Sequence, residues 1–141
     1  MRDLFNFINP VRAISPAAAT TNDTAWVSQV IDRQGYDSLT FVILTGSLAD
    51  ADATFAVTVD HGDLANLNDA ASVPADQLIG STTAAGFTFG DDDETRKIGY
   101  RGDKRYVRLT VTPTGNSGNA FCAAVALLAH AAIRPTVNPP V

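Results

Sequence analysis

A chain of 141 residues, 45% apolar and 18% charged, fits one domain large enough to bury a core without disulfide or metal staples. Its formal charge of -5 argues against a nucleic-acid binder with a general basic surface, and a single cysteine excludes an intramolecular disulfide. The N-terminal residues lack the make-up of a signal peptide, and the longest apolar run, Ala120 to Ala132, is interrupted by His130 and too short to span a bilayer. The expectation is therefore synthesis in the cytoplasm, with no membrane and no nucleic acid among the partners.

Residues 1–10 read as an arm. Leu4, Phe5, Phe7 and Ile8 are apolar, while Asn6, Asn9 and Pro10 discourage a long helix. Val11–Ser15 reads as a short strand stopped by Pro16, and residues 17–24 as a polar loop. Ala25–Asp32 alternates weakly, with Trp26, Ser28 and Val30 on one face. After a turn at Gly35, Ser38–Thr45 is apolar on both faces around Phe41 to Leu44, the pattern of a central strand covered on both sides. Thr54–Asp60 alternates cleanly, with Phe55, Val57 and Val59 inward, and the two strands read as a hairpin.

Residues 61–75 are rich in Asp, Asn and Ala and read as a long loop, with Leu64 and Leu67 able to support one helical turn. Short strands are expected at Gln77–Gly80 and Gly86–Phe89. Arg96–Pro113 then reads as two strands joined by a tight turn at Arg101-Gly102-Asp103-Lys104, since glycine beside aspartate suits a short hairpin turn. In the second of these strands Val107, Leu109 and Val111 share one face. The last strand, Ala120–His130, is anomalous because both its faces are apolar. Its second face needs cover from a loop, from the arm or from another subunit. Residues 134–141 carry three prolines and are expected to run extended over a surface.

About eight strands with Gly, Asp and Asn turns and no long helix predict an all-β, single-domain β-sandwich, jelly-roll-like, with extended N- and C-terminal arms. The boundaries are 1–10 for the arm, 11–133 for the sandwich and 134–141 for the tail.

Little in the chain points to catalysis, a cofactor or a metal. His61 and His130 lie in separate elements without a recognised ligand spacing. The acidic runs at Asp50–Asp52 and Asp91–Glu94 lack the glycine and distal glutamate of an EF-hand and read as solvated turns. No serine sits in a nucleophile elbow, and there is no glycine-rich phosphate loop. Cys122, among Phe121, Ala123 and Ala124, reads as a buried and inert thiol. Arg101-Gly102-Asp103 spells an adhesion tripeptide, but turn chemistry already accounts for Gly102. Arg96, Lys97, Arg101, Lys104, Arg105 and Arg108 make a basic stripe, which reads as an edge carrying protective charges or as a contact to an acidic partner.

Several segments together resemble a known family: Val11–Pro16, Ile31–Val42, Leu48–Phe55, Asp76–Gly80 and the block Arg96–Leu109 with its Ile-Gly-Tyr and Lys-Arg-Tyr-Val-Arg-Leu. The pattern is similar to that of small virion proteins of tailed bacteriophages and prophages encoded among the head structural genes. The resemblance runs from Val11 to His130. It implies a capsid decoration, or cement, protein: a β-sandwich bound in many copies outside the major capsid shell, homo-oligomeric (a trimer more than a dimer), with no active site. On that reading Leu4, Phe5, Phe7 and Ile8 anchor the arm, and Arg101, Lys104 and Arg105 make polar contacts to the shell. The other expectations are a head–tail connector or tail-completion protein, and a host- or glycan-binding module that would use Trp26, Tyr36, Tyr100 and Tyr106.

Overall fold

Two antiparallel sheets face each other, and the chain crosses between them at its main connections. The structure, a computed structural model, describes residues 2–140. The first sheet has the order β1 (Ile8–Ile14), β11 (Ala120–Ala131), β4 (Tyr36–Leu48), β9 (Thr95–Tyr100), β7 (Leu78–Ile79). In the second, β10 (Tyr106–Thr114) and β5 (Thr54–Gly62) form the centre. The short strands β2 (Trp26–Val27) and β3 (Ile31–Asp32) flank β10, and β6 (Ala71–Ser72) and β8 (Phe87–Thr88) flank β5. First and last strands lie side by side, while consecutive long strands sit in opposite sheets. This is the strand order of a jelly roll.

The core follows from period-two alternation. Phe41, Ile43, Ile98, Val107, Leu109 and Val111 are fully buried between the sheets, joined by Phe55, Val57 and Val59 from β5. From β11 the inward residues are Cys122, Ala124, Ala126 and Leu128. Three of these four are small, which leaves room for the bulky residues opposite. Trp26, Phe55 and Phe87 form an aromatic file, with Phe55 and Phe87 stacked at 4.8 Å between centroids. One helical turn, α1 (Thr82–Ala85), closes the side of the sandwich; the Ser81 hydroxyl caps it by accepting from the Ala84 N–H at 3.0 Å.

The pairing differs from the sequence expectation at both supposed hairpins. β4 and β5 lie in different sheets, and so do β9 and β10. Alternation identifies a strand and its inward face but carries no information on which strand it pairs with. The Arg101–Lys104 segment is therefore a bridge between sheets. Its backbone is held from below: the Tyr100 hydroxyl accepts from the Lys104 N–H at 3.1 Å, and Arg33 donates to the Gly102 carbonyl at 2.7 Å. A Cβ on Gly102 would lie 2.4 Å from the Tyr100 hydroxyl oxygen and 2.7 Å from Gln77 Oε1, so this close approach requires glycine.

Other boundaries shift too. The first strand starts at Ile8, inside the segment read as an arm, so the arm proper is shorter than residues 1–10. Pro10 is tolerated because β1 is an edge strand. Ala25–Asp32 is two short strands interrupted at Ser28, whose hydroxyl accepts from the Leu109 N–H at 2.9 Å. The helical turn expected near Leu64 is absent; Leu67 instead takes a positive φ of 53° within a loop shaped by the Asp69 carboxylate. β4 is central as expected, but its outer face is not covered: Leu44 is 53% exposed.

Candidate interaction surface

The outer face of the first sheet is apolar and open. Its residues stand in cross-strand rows set by the register. Pro10, Leu127, Thr40, Gly99 and Ile79 form one row, Arg12, Val125, Val42 and Lys97 the next, and Ala123, Leu44 and Thr95 a third. Phe121 extends the patch beyond the third row. Phe121, Val125, Leu44 and Ile79 are between 40% and 59% exposed. A sandwich ordinarily turns polar residues outward, so a largely apolar outer face of this kind departs from the usual pattern.

Both chain ends gather at one end of this face. A 3-10 turn at Phe5–Phe7 precedes β1, and the tail folds back over it. The Thr136 N–H donates to the Asn6 carbonyl at 3.1 Å, and the Thr136 hydroxyl donates to the Ile8 carbonyl at 2.6 Å. The Arg134 guanidinium lies 5.0 Å from the centre of the Phe7 ring. Asp3 accepts from the Asn6 side-chain amide at 2.6 Å and from its N–H at 3.1 Å, which holds the Asp3 carboxyl below its usual range. The tail is thus docked on the arm. Leu4, Phe5, Ile133 and Val137 remain 62–83% exposed around this joint. A cavity of about 270 Å³ at the joint is lined by Leu4, Phe7, Ile8 and Ala129 together with the polar Asp3, His130 and Arg134.

Of the four anchors expected from the sequence, Leu4 and Phe5 project into solvent, whereas Phe7 and Ile8 are half-buried under the tail. The three expected basic contacts are engaged within the chain. Arg105 makes two hydrogen bonds to Asp32, at 2.9 and 2.8 Å, which hold the Asp32 carboxyl low. Lys104 pairs with Asp63 at 2.6 Å, and Arg101 donates to the Asp76 carbonyl at 2.8 Å. Arg96 pairs with Asp91 and Glu94, and Arg108 with Asp60. The basic stripe is largely neutralised by the fold. Ile133, Val137 and Arg12 were not singled out by the sequence, because their exposure depends on how the tail and β1 lie.

Several chemically suggestive residues turn out to be structural. Tyr100 is buried and its hydroxyl pairs with His61 Nδ1 at 2.8 Å; burial pushes the phenol above its usual range. Trp26 and Tyr36 pack against the core, and Tyr106 lies beside Arg105, so the aromatics considered for sugar stacking form no exposed row. Ser38 meets His130 Nδ1 at 2.8 Å on the surface. Among the described residues, no three His, Cys, Asp or Glu side chains are placed to hold a metal ion. Cys122 is buried, and burial pushes its thiol up to about 12. A separate open groove of about 360 Å³ lies between β5, α1 and β8, with Thr54, Thr82, Thr83, Thr88 and Asp91 on its walls.

No family model matches the chain, and no curated protein matches it. Among solved structures, the infectious bursal disease virus VP2 subviral particle is similar with a TM-score of 0.53 at 8% identity, over 89% of this chain and 32% of that one. The Gx strain of the same virus gives 0.49 at 10% identity, over 90% and 34%. The C-terminal family 22 carbohydrate binding module of Clostridium thermocellum Xyn10B gives 0.47 at 11% identity, over 93% and 99%. The chain spans about a third of the length of the two viral chains. At such identities the shared property is the fold, a jelly-roll β-sandwich also found in a viral particle protein.

Proposed function

We propose that the chain is a structural virion protein of a tailed bacteriophage, binding the outside of the major capsid shell in many copies as a decoration or cement protein. The observation that carries this reading is the largely apolar outer face of the first sheet, with the exposed Leu4, Phe5, Ile133 and Val137 of the docked chain ends beside it. Among the described residues only Pro16 and Ala17 lie against its margin, beside Leu44 and Phe121, and an isolated domain gains nothing from leaving the rest wet. The resemblance of Arg96–Leu109 and its companion segments supplies the family, and the jelly-roll fold agrees with it. The function is non-enzymatic and needs no cofactor. Each contact is modest in area, but copies held on one symmetric lattice act together, so weak contacts suffice to clamp a shell.

Co-sedimentation of the full-length protein with capsid shells assembled without it tests the proposal, using Leu4→Ser/Phe5→Ser as the comparison. Saturable binding at one copy or oligomer per lattice site, weakened in the variant, is expected. Absence of binding, or saturation at a ring's worth of copies, favours the connector or tail-completion role instead.

A second reading, a glycan-binding module displayed on the particle, rests on the threonine-lined groove beside α1. The threonine hydroxyls offer hydrogen-bonding groups to a sugar there. Binding on a glycan array, abolished by Thr54→Val/Thr88→Val, would establish it.

A further inference from the structure

The central row of the outer sheet face has a charge pattern that specifies the surface it meets. Arg12 of β1 pairs with Val125, Val125 with Val42, and Val42 with Lys97 of β9, so two cations bracket two valines in a single line across four strands. Three strand spacings separate the ends of the row, about 14 Å. Arg12 is oriented by neutral partners only, donating to Ser15 Oγ at 2.7 Å and to Gln29 Oε1 at 3.0 Å. Among the described residues neither Arg12 nor Lys97 pairs with a carboxylate. No position in the three cross-strand rows is acidic, although the chain as a whole carries a net charge of -5. The other strand-borne cations of the chain, Arg96 and Arg108, are both neutralised in place.

Resting on the proposed role at the capsid shell, we infer that this face docks on an apolar protein surface carrying a carboxylate at each end of the row, one for Arg12 and one for Lys97. A second copy of the chain is the poorer occupant. A two-fold axis that lays this row on its copy sets Arg12 against Lys97 or against itself, and like charges across an interface oppose association. The area points the same way. From strand spacing and rise the face measures roughly 500 Å², short of the about 800 Å² per partner of a standard interface. The exposed chain ends at its margin supply the remainder, which a partner large enough to reach both would cover. The valines and leucines give the contact its apolar centre, and the two cations fix its register.

The test compares wild type, Arg12→Glu/Lys97→Glu and Val125→Asp for binding to shells lacking the protein, at low and at moderate salt. All three sites are on the surface, and circular dichroism together with sedimentation velocity checks that fold and oligomeric state are kept. The expected result is a loss of affinity of roughly tenfold or more in both variants, with a salt dependence in the wild type that the double charge reversal removes or inverts. Wild-type affinity in both variants overturns the inference while leaving shell binding intact. Conversion of an oligomer to monomers by Val125→Asp also overturns it, by assigning the face to a second copy. Failure of the wild type to bind shells removes the proposed function and this inference together.

Discussion

The hydroxyl of Thr136 and the carbonyl of Ile8, 2.6 Å apart, tie the two ends of the chain into one unit. Ile8 is the first residue of β1, so the joint anchors the arm and the tail to the edge of the first sheet. It also occupies part of the β1 edge. Gln29 blocks that edge further along, with its N–H on the Ala13 carbonyl and its side-chain amide on the Arg12 carbonyl. Pro10 between them has no N–H to offer. An edge closed in three places resists strand addition.

Removing the tie loosens both ends without unfolding the domain. Thr136→Val is expected to cost about 0.5–1.5 kcal/mol, the net worth of a hydrogen bond of this kind. Hydrogen exchange read by mass spectrometry checks it: protection at residues 5–9 falls, while β4 and β10 stay protected.

Gly102→Ala is expected to destabilise more than any single ion pair at the surface. The added methyl collides with the Tyr100 hydroxyl and Gln77 and strains the bridge between β9 and β10. A cost of about 1–3 kcal/mol follows from overpacking, against less than about 1 kcal/mol for Arg105→Ala, whose partnership with Asp32 is half exposed. Urea unfolding midpoints of the two variants decide the order.

The thiol of Cys122 is expected to be unreactive in the folded protein. Burial among core residues pushes it up to about 12 from an ordinary 9.0, so the thiolate is scarce and out of reach at neutral pH. A disulfide reagent at pH 8 leaves the native thiol unmodified and titrates one thiol in strong denaturant. The raised value also sets a sign: the stability from keeping the thiol neutral is complete below pH 9.0 and is lost as pH rises through about 12.

Acid acts from the other side. Asp32 is held low first by its hydrogen bond to Arg105, and Asp91 first by the Thr88 N–H. Asp50 accepts from the Ser117 hydroxyl and N–H, each at 2.7 Å. Carboxylates with lowered values stabilise the fold fully above their ordinary 3.8, and that contribution is lost as pH falls through the lower folded values. The urea midpoint is expected to stay level from pH 7 to 5 and to drop below pH 4.

The sandwich was legible in the sequence because period-two alternation at Thr54–Asp60 and Tyr106–Val111 is a local property. Pairing was not, because a jelly roll sends consecutive strands to opposite sheets and nothing local distinguishes that from a hairpin. The doubly apolar last strand was the best pointer to the open outer face. One face of it, Cys122 to Leu128, is core; the other, Phe121 to Ala129, is the open surface. The ion pairs of Lys104, Arg105 and Arg108 were not legible for a simple reason. Asp32, Asp63 and Asp60, which neutralise Arg105, Lys104 and Arg108, lie more than 40 positions away in the chain and meet them only on folding.

The measurement that bears most directly on the central claim is the copy number of the protein on shells at saturation, with its location resolved by cryo-electron microscopy of decorated particles. Density is expected outside the shell at repeated lattice sites, with the outer face of the first sheet and the joined chain ends turned toward the major capsid protein. Density confined to a single vertex, or a sheet face and chain ends turned to solvent, would contradict it.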